Sequence, residues 1–265
     1  MHGEGGDRVI HPTAIVDPGA ELAEGVRVGP YSIIGPDVVI GRDTEIGPHV
    51  VINGPTRIGE ENRIFQFASI GEQPQDLKYH GEPTRLEIGD RNVIREYATM
   101  NRGTVSGGEL TAVGDDNLLM AYTHVAHDCI VGNRVIMSNA ASLAGHVTIR
   151  DHVILGGFTT VHQFTEIGEY SFSGMSTAIN RNVPPFLGVT GNYARSFGVN
   201  KTGLRRHGFS EEVIKAIHQA FMALIRSGAA SREALQRIEP LARQYPEVAS
   251  FVDFITRSER PIIKG

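Results

Sequence analysis

Two short polar columns are the residues whose spacing suggests chemistry. His127, Gly145 and Gln163 recur at intervals of 18 residues, and Asp128 and His146 directly follow the first two. A neutral imidazole can take a proton from a hydroxyl group, and a neighbouring carboxylate can orient the ring and stabilise its cation. His127 with Asp128 is therefore a candidate for general-base chemistry. Without further motifs, a histidine with a purely structural hydrogen bond would be the more common outcome.

A six-residue repeat supplies the framework for these columns. Only Ser173 interrupts a series of 26 apolar positions, and most other members are six residues apart, with a one-residue shift after Met100. A small or β-branched residue usually lies four positions after each member. A period of six is typical of short strands and turns that stack as coils of a parallel β-helix. The series is Ile10, Val16, Leu22, Val28, Ile34, Ile40, Ile46, Ile52, Ile58, Ile64, Ile70, Ile88, Ile94, Met100, Val113, Leu119, Val125, Val131, Met137, Leu143, Ile149, Leu155, Val161, Ile167, Ser173 and Ile179.

The repeat also predicts where the polar columns lie. Three hexads form one coil, so residues 18 apart stack on successive coils, where they could line a groove between subunits. Neighbours in a strand point in opposite directions. A pairing of His127 with Asp128 therefore requires a turn at this point, or an Asp128 from another subunit.

The chain divides into two predicted regions. Residues 8–199 carry the repeat, with loop insertions near residues 72–87 and 101–112, and residues 200–265 form a small helical domain. Apolar residues at helical spacing predict a helix from Ser210 to Ser227 with Ser210 as its N-cap. Two shorter helices are expected near Ser231–Glu239 and Pro246–Ser258.

Composition excludes several function classes. The net charge of −5 argues against nucleic-acid binding, and no apolar run is long enough for membrane insertion. The first eight residues lack the apolar stretch of a signal peptide. The single cysteine, Cys129, allows neither an intrachain disulfide nor a thiolate zinc cluster. These features predict a cytoplasmic location.

Local motifs are more specific than the repeat. The chain resembles the family of UDP-N-acetylglucosamine O-acyltransferases, which open lipid A biosynthesis. That resemblance implies a mainly β fold, a left-handed parallel β-helix followed by a small α-helical domain. It also implies transfer of a 3-hydroxyacyl group from acyl carrier protein to UDP-N-acetylglucosamine. The enzyme would be a homotrimer without a resident cofactor, because the acyl donor carries its own phosphopantetheine. The matching segments begin at Gln66, Gln75, Gly81, Asn101, Asp116, Ala126, Leu143, Val161, Gly198 and Gly203.

The resemblance also assigns roles to residues. His127 would be the base, Asp128 its partner, and the backbone N–H of Gly145 the oxyanion donor. Substrate contacts would come from Asp76, Lys78, His146, Gln163, Asn200 and Arg206. Met175 would limit the acyl chain to about ten carbons, from strand spacing and bond length. Acyl carrier protein is expected to dock near Lys201, Arg205 and Arg206.

Some alternatives stay open at this stage. A trimeric β-helix zinc enzyme of the γ-carbonic anhydrase type would use three histidines as ligands. The acceptor could be the 3-hydroxy or the 3-amino form of the sugar. His207 and Asn101 depart from the family pattern at the diphosphate and sugar contacts, and Tyr193, where the family commonly has a histidine, could tune the choice of acceptor.

Overall fold

The computed structural model describes residues 9–226 and 232–265. Most of the chain follows the hexad, with short strands separated by turns and stacked in parallel on three faces. The predicted fold class, a β-helix followed by helices, is confirmed.

Up to Ile179, each face is built from every third strand along the chain. The last two strands of the first face, Leu187–Thr190 and Arg195–Val199, are consecutive and pair antiparallel with each other. The first face contains Val9–Ile10, Arg27–Val28, Glu45–Ile46, Arg63–Ile64, Val93–Ile94, Leu118–Leu119, Ile136–Met137, Ile154–Leu155, Phe172–Ser173, Leu187–Thr190 and Arg195–Val199. The second face contains Ile15–Val16, Ile33–Ile34, Val51–Ile52, Ser69–Glu72, Thr99–Asn101, His124–Val125, Ser142–Leu143, Thr160–Val161 and Ala178–Ile179. The third face contains Glu21–Leu22, Val38–Ile40, Thr56–Ile58, Arg85–Ile88, Leu110–Val113, Ile130–Val131, Thr148–Ile149 and Glu166–Ile167.

The apolar column of the hexad forms the core. Ile52, Ile94 and Leu143 are completely buried, as the periodicity predicts. Ser173, the exception in the series, is also buried, and its hydroxyl accepts a hydrogen bond from the Gly156 N–H at 3.0 Å. The exception is therefore accommodated because its polar group has a partner.

The turns between faces share one backbone conformation. Many corner residues that are not glycine have φ between 53° and 67°, among them Asp128 at 60° and His146 at 61°. Asn, Asp and His tolerate this left-handed region better than most side chains. The corner side chains, polar at some positions and aromatic at others, therefore occupy equivalent positions one coil above the next.

Both loop insertions leave the β-helix at the corner between the second and third faces. The first runs from Ser69–Glu72 to Arg85–Ile88, and the second from Thr99–Asn101 to Leu110–Val113. The second contains a 3₁₀ turn at Val105–Gly107. The His127 turn lies at the same corner, between His124–Val125 and Ile130–Val131. The topology thus brings both insertions to the predicted site.

Four helices follow the repeat: α1 (Lys201–Arg206), α2 (Glu211–Phe221), α3 (Arg232–Gln244) and α4 (Pro246–Arg257). The Ser210 side chain caps α2 by accepting from the Val213 N–H at 3.2 Å. A π-helical turn, Met222–Arg226, continues α2. None of the described helices is long and apolar enough to cross a membrane.

The helical predictions need two corrections. The short helix α1 was not predicted, and α3 continues beyond Glu239 through Pro240 to Gln244. A proline in a helix interior usually breaks the helix, but Pro240 lies within α3. Ser227 and Ser231, at the ends of two predicted helices, lie outside the described residues.

Candidate active site

His127 and Asp128 meet within one chain because they occupy a turn. The left-handed conformation of Asp128 replaces the alternation of a strand, so its side chain lies beside that of its neighbour. The distance from His127 Nδ1 to Asp128 Oδ2 is 2.7 Å. Of the two routes to this pairing that the sequence allows, the turn is the one found.

The second loop insertion surrounds the Asp128 carboxylate. The backbone N–H of Thr104 donates to Oδ1 at 2.7 Å, and its hydroxyl donates to Oδ2 at 2.6 Å. Thr111 Oγ1 accepts from the Asp128 N–H at 2.8 Å. A Cβ at Gly107 would collide with the carboxylate, so this residue must be glycine for the loop to close. The carboxylate side chain is completely buried.

These hydrogen bonds set the ionisation of Asp128. Burial alone would raise the pKa of the carboxyl group, but the bonds from His127 and Thr104 outweigh it and hold the pKa below its ordinary value. Asp128 is therefore an anion at neutral pH. An anion at this position favours the His127 tautomer that carries its proton on Nδ1, which leaves Nε2 free to accept a proton.

The next coil lies directly beneath the His127 ring. A Cβ at Gly145 would be 2.5 Å from His127 Cε1, so the ring packs against the bare backbone. In the described part of the chain, the N–H of Gly145 donates to no acceptor. A free N–H beside an imidazole is the arrangement that an oxyanion requires.

Two further histidines border the pair. His146 Nε2 is 3.7 Å from Asp128 Oδ2, and its ring stacks on Phe164 with centroids 4.4 Å apart. Burial lowers the pKa of His146 more than the nearby Asp128 raises it. Burial, reinforced by the charge of His127, also lowers the pKa of His124, which makes a 2.7 Å hydrogen bond to Thr99 Oγ1. Both rings are therefore neutral near pH 7.

Cys129 is not a candidate nucleophile. The side chain is fully buried beside the pair, and burial raises the pKa of the thiol to about 12. A protonated, inaccessible thiol cannot attack a substrate. Cys129 is therefore a structural residue of the core.

His127, Asp128 and His146 are also the described residues that could hold a metal, with donor atoms within 4.8 Å of one another. The group contains two histidines and a carboxylate. The γ-carbonic anhydrase alternative requires three histidines on zinc. Asp128 already accepts three hydrogen bonds, so its oxygens are committed to the protein.

Some predicted substrate residues lie at the same corner. Asp76 belongs to the first insertion, accepts from the Lys78 N–H at 3.0 Å, and is close enough to act electrostatically on His146. The side chains of Lys78 and Gln163 are exposed. Gln163 lies one coil beyond Gly145, as the 18-residue spacing predicts.

Asn200, Arg206 and Met175 are placed elsewhere. The Asn200 side chain caps α1 by accepting from the Gly203 N–H at 3.1 Å, and it donates to the Tyr170 carbonyl at 2.9 Å. Arg206 is exposed at the end of α1. Met175 is 75% exposed at the corner between the first and second faces, away from the His127–Asp128 pair.

Sequence reasoning missed Thr104, Gly107 and Thr111. Thr104 closes the Asn101-Arg-Gly-Thr motif, but it precedes Asp128 by 24 residues across an insertion. The hexad arithmetic therefore gives no sign that the two residues meet. The motif marks this segment as part of the family pattern, but it assigns no role to Thr104.

Comparisons with known proteins match both regions of the chain. A family model described as bacterial transferase hexapeptide (six repeats) matches residues 9–42. A model described as UDP N-acetylglucosamine O-acyltransferase, domain 2, matches residues 182–263.

Full-length relatives give the same result. An acyl-[acyl-carrier-protein]–UDP-N-acetylglucosamine O-acyltransferase of Thiobacillus denitrificans is 53% identical over 96% of this chain and 99% of its own. The solved structure of LpxA from Acinetobacter baumannii has a TM-score of 0.94 and 47% identity, covering 97% of this chain and 100% of its own. The UDP-N-acetylglucosamine acyltransferase of Francisella novicida has a TM-score of 0.93 and 39% identity, covering 97% and 94%.

Proposed function

The chain belongs to the family of acyl-[acyl-carrier-protein]–UDP-N-acetylglucosamine O-acyltransferases, and on that premise we propose that it transfers a 3-hydroxyacyl group from acyl carrier protein to the 3-hydroxyl of UDP-N-acetylglucosamine. This is the first step of lipid A biosynthesis, and we place it in the cytoplasm. The observation that carries the proposal is the 2.7 Å bond between His127 and Asp128 with the free N–H of Gly145 beside the ring.

The reaction needs a base and an oxyanion donor, and no resident cofactor. His127 Nε2 takes the proton of the sugar hydroxyl while the hydroxyl oxygen attacks the thioester carbonyl carbon. The carbonyl oxygen becomes an anion and accepts from the Gly145 N–H. Asp128 stabilises the imidazolium. When the tetrahedral intermediate collapses, the carbon–sulfur bond breaks, and the imidazolium returns the proton to the departing thiolate of phosphopantetheine.

Substrate contacts are assigned around this centre. We propose that Asp76 and His146 hold the sugar, that Lys78 and Gln163 line the path of the donor, and that Arg206 faces the diphosphate. Asn200 is included because of its motif, although its side-chain amide already makes two hydrogen bonds. Its part would be to place α1, and with it Arg206, beside the nucleotide.

We propose a homotrimer as the active form. The first–second corner carries aromatic side chains between 43% and 63% exposed: Tyr31, Phe67, Tyr97, Tyr122 and Phe158. Apolar surface of this extent favours a partner. If this corner packed against the second–third corner of a neighbour, three copies would close a ring with identical heterologous interfaces. The neighbour would then supply the opposite wall of the groove at His127.

The acyl-chain preference follows from the same arrangement. Met175 lies 48 residues beyond His127, nearly three coils, or about 13 Å along the axis at the usual strand spacing. An extended chain advances about 1.25 Å per carbon, so Met175 would end a chain of about ten carbons. Because Met175 lies at the first–second corner, the neighbouring subunit would supply it.

The decisive experiment measures turnover of purified protein with UDP-N-acetylglucosamine and acyl carrier protein thioesters of different lengths. We expect His127→Ala to lower the turnover rate by a factor of about 10²–10⁴. Its melting temperature and its sedimentation should stay unchanged. His11→Ala, an exposed histidine at the other end of the β-helix, is the matched control and should keep full activity. Near wild-type turnover in His127→Ala would refute the assignment of the base.

A further inference from the structure

Two adjoining cavities at the C-terminal end of the β-helix are lined by cations. One has a volume of about 400 Å³ and the other about 450 Å³, and Arg181, Arg195 and Lys264 line both. Arg226 lines the second cavity. Neither lining contains an Asp or Glu side chain, and Gly265, the last residue, lines the second cavity next to Arg226. This group of four is called the cation cluster below.

The cation cluster lacks acidic partners. In residues 9–226 and 232–265, no carboxylate oxygen lies within 4.0 Å of a side-chain nitrogen of these four residues. Some other arginines are paired, such as Arg205 with Glu211. Unpaired like charges that share a cavity repel one another, in a chain of net charge −5. Such a site is electrostatically suited to an anion.

The predicted docking position near Arg205 has less free charge. Two hydrogen bonds, of 2.5 and 3.1 Å, join the Arg205 guanidinium to the Glu211 carboxylate. Arg205 is therefore neutralised by its own chain, while Arg181 and Arg195 are not. The cation cluster is the better candidate for an anionic part of the acyl donor.

The position of the cluster relates it to the candidate active site. Arg181 lies 18 residues beyond Gln163, and so it extends the column of His127, Gly145 and Gln163 by one coil. Strand pairing holds this register up to Ile179, since Val125 pairs with Leu143, Leu143 with Val161, and Val161 with Ile179. The corner after Ile179 is two residues shorter than those before it, because Ile167 pairs with Val183, and Arg181 lies in this shortened corner. Three strand spacings separate His127 from Arg181, or about 14 Å.

Backbone hydrogen bonds hold the cluster at this end of the column. Ala194, next to Arg195, donates to the Ala178 carbonyl at 2.9 Å. The Lys264 carbonyl accepts from the Ser196 N–H at 2.8 Å. The C-terminal segment and the turn before Arg195 are therefore tied to the last coils, and the cavity is built from fixed backbone.

The distance matches the chemistry of the donor. In phosphopantetheine, about thirteen bonds join the phosphorus to the sulfur, so the extended arm spans roughly 16 Å at about 1.25 Å per bond. We propose that Arg181, Arg195 and Lys264 bind the phosphate of this arm, with the arm lying along the column past Gln163 and Gly145 and the thioester at His127. The donor would bend at the thioester, so that the acyl chain runs beside the arm towards Met175 of the neighbouring subunit. The inference rests on the proposed function, and guanidinium groups suit phosphate by geometry.

The test uses three acyl donors of the same chain length: acyl carrier protein, acyl-phosphopantetheine and acyl-pantetheine, which lacks the phosphate. In the double variant Arg181→Gln/Arg195→Gln we expect the KM for the first two donors to rise about ten- to a hundredfold. The kcat, the KM for UDP-N-acetylglucosamine and the KM for acyl-pantetheine should not change. Arg237→Gln removes an exposed cation from α3 and is the matched control.

The other outcomes are equally informative. An unchanged KM for acyl carrier protein overturns the proposal, as does a rise in the KM for the nucleotide sugar, whose diphosphate would then be the ligand. If the KM rises for acyl carrier protein but not for acyl-phosphopantetheine, the cation cluster binds carboxylates of the carrier, and the proposal of a phosphate site is overturned. Calorimetry of phosphopantetheine against pantetheine tests the cluster without turnover, so a wild-type protein that fails to transfer acyl groups refutes the proposed function separately. Equal affinity for the two compounds refutes the phosphate site.

Discussion

At the scale of single residues, the buried carboxylate of Asp128 depends on its hydrogen bonds. Removing a carboxylate from water costs several kcal/mol, and the cost must be offset by partners with good geometry. Three donors supply them here: the His127 ring, the Thr104 N–H and the Thr104 hydroxyl. Thr104 is thus a positioning residue, acting on the reaction through Asp128 and His127.

We expect Thr104→Val to lower kcat by about tenfold, since a hydrogen bond to a charged group contributes about 1.5–3 kcal/mol. Loss of the hydroxyl leaves the Asp128 carboxylate more basic and strengthens its interaction with the His127 imidazolium. The acidic limb of the pH–rate profile should therefore move to higher pH. His124 and His146 also face this ring, so the profile is compared with that of His146→Gln.

Thr104→Ser restores the hydroxyl and should recover both the rate and the pH profile. If Thr104→Val and Thr104→Ser behaved alike, or if the pH profile of Thr104→Val matched wild type, the hydroxyl would have no part in positioning Asp128.

At the scale of elements, Glu166 joins the end of α4 to the third face of the β-helix. Its carboxylate accepts from the Arg257 guanidinium at 2.8 and 2.9 Å and from Arg150 Nε at 2.8 Å. Burial would raise the pKa of Glu166, but the bonds from Arg257 and Arg150 outweigh it and hold the pKa below its ordinary value. The last helix is therefore attached by charged groups as well as by apolar contacts.

We expect Glu166→Gln to reduce the free energy of unfolding by about 1–3 kcal/mol at neutral pH, because two arginines lose their partner. The pKa of Glu166 is lower in the folded than in the unfolded chain, so its contribution is present above the ordinary value of 4.5 and is lost as the pH falls below it. Denaturant unfolding of wild type and variant across this range measures the difference.

Glu60→Gln is the control, because Glu60 makes an exposed ion pair with Arg42 and exposed pairs contribute little. A Glu166→Gln difference that stayed constant down to strongly acidic pH would contradict the role of the carboxylate charge.

At the scale of the whole molecule, the His127–Asp128 pair and Met175 lie on different corners of the prism. The corner between the second and third faces holds both insertions, and the corner between the first and second faces carries the exposed aromatic side chains. Met175, itself 75% exposed, is a side chain that a neighbouring copy would cover. Chain-length selection in this protein would then be a property of the assembly.

We expect wild type to prefer acyl chains of about ten carbons, within two, and Met175→Gly to prefer longer chains, because loss of the flexible apolar side chain opens the end of the pocket. The measurement is a profile of kcat/KM against chain length. Met222→Ala, which removes a methionine of similar type from the helical part, should leave the profile unchanged. Identical profiles for wild type and Met175→Gly, or a wild-type preference for about fourteen carbons, would rule out the limit.

The sequence by itself determined the architecture and the order of its parts. A strict period of six places one apolar residue inward in each hexad, because only short strands with regular turns repeat at this interval. The same arithmetic predicted that His127, Gly145 and Gln163 stack on successive coils, and register is conserved wherever no residues are inserted. Motifs, and not periodicity, indicated the family.

Only the tertiary structure decided which side chains meet across breaks in that register. The left-handed turn at Asp128 allows this residue to pair with His127 of the same chain. In a regular strand, the side chains of two neighbouring residues would point in opposite directions. The insertion that brings Thr104 to the carboxylate does not follow the six-residue repeat. The contact between Thr104 and Asp128 could therefore not be predicted from sequence spacing. Likewise, Arg205 and Arg181 look alike as sequence, but Glu211 neutralises the first, while no described carboxylate pairs with the second. The sequence shows which residues are charged, but only the fold decides which of those charges form ion pairs.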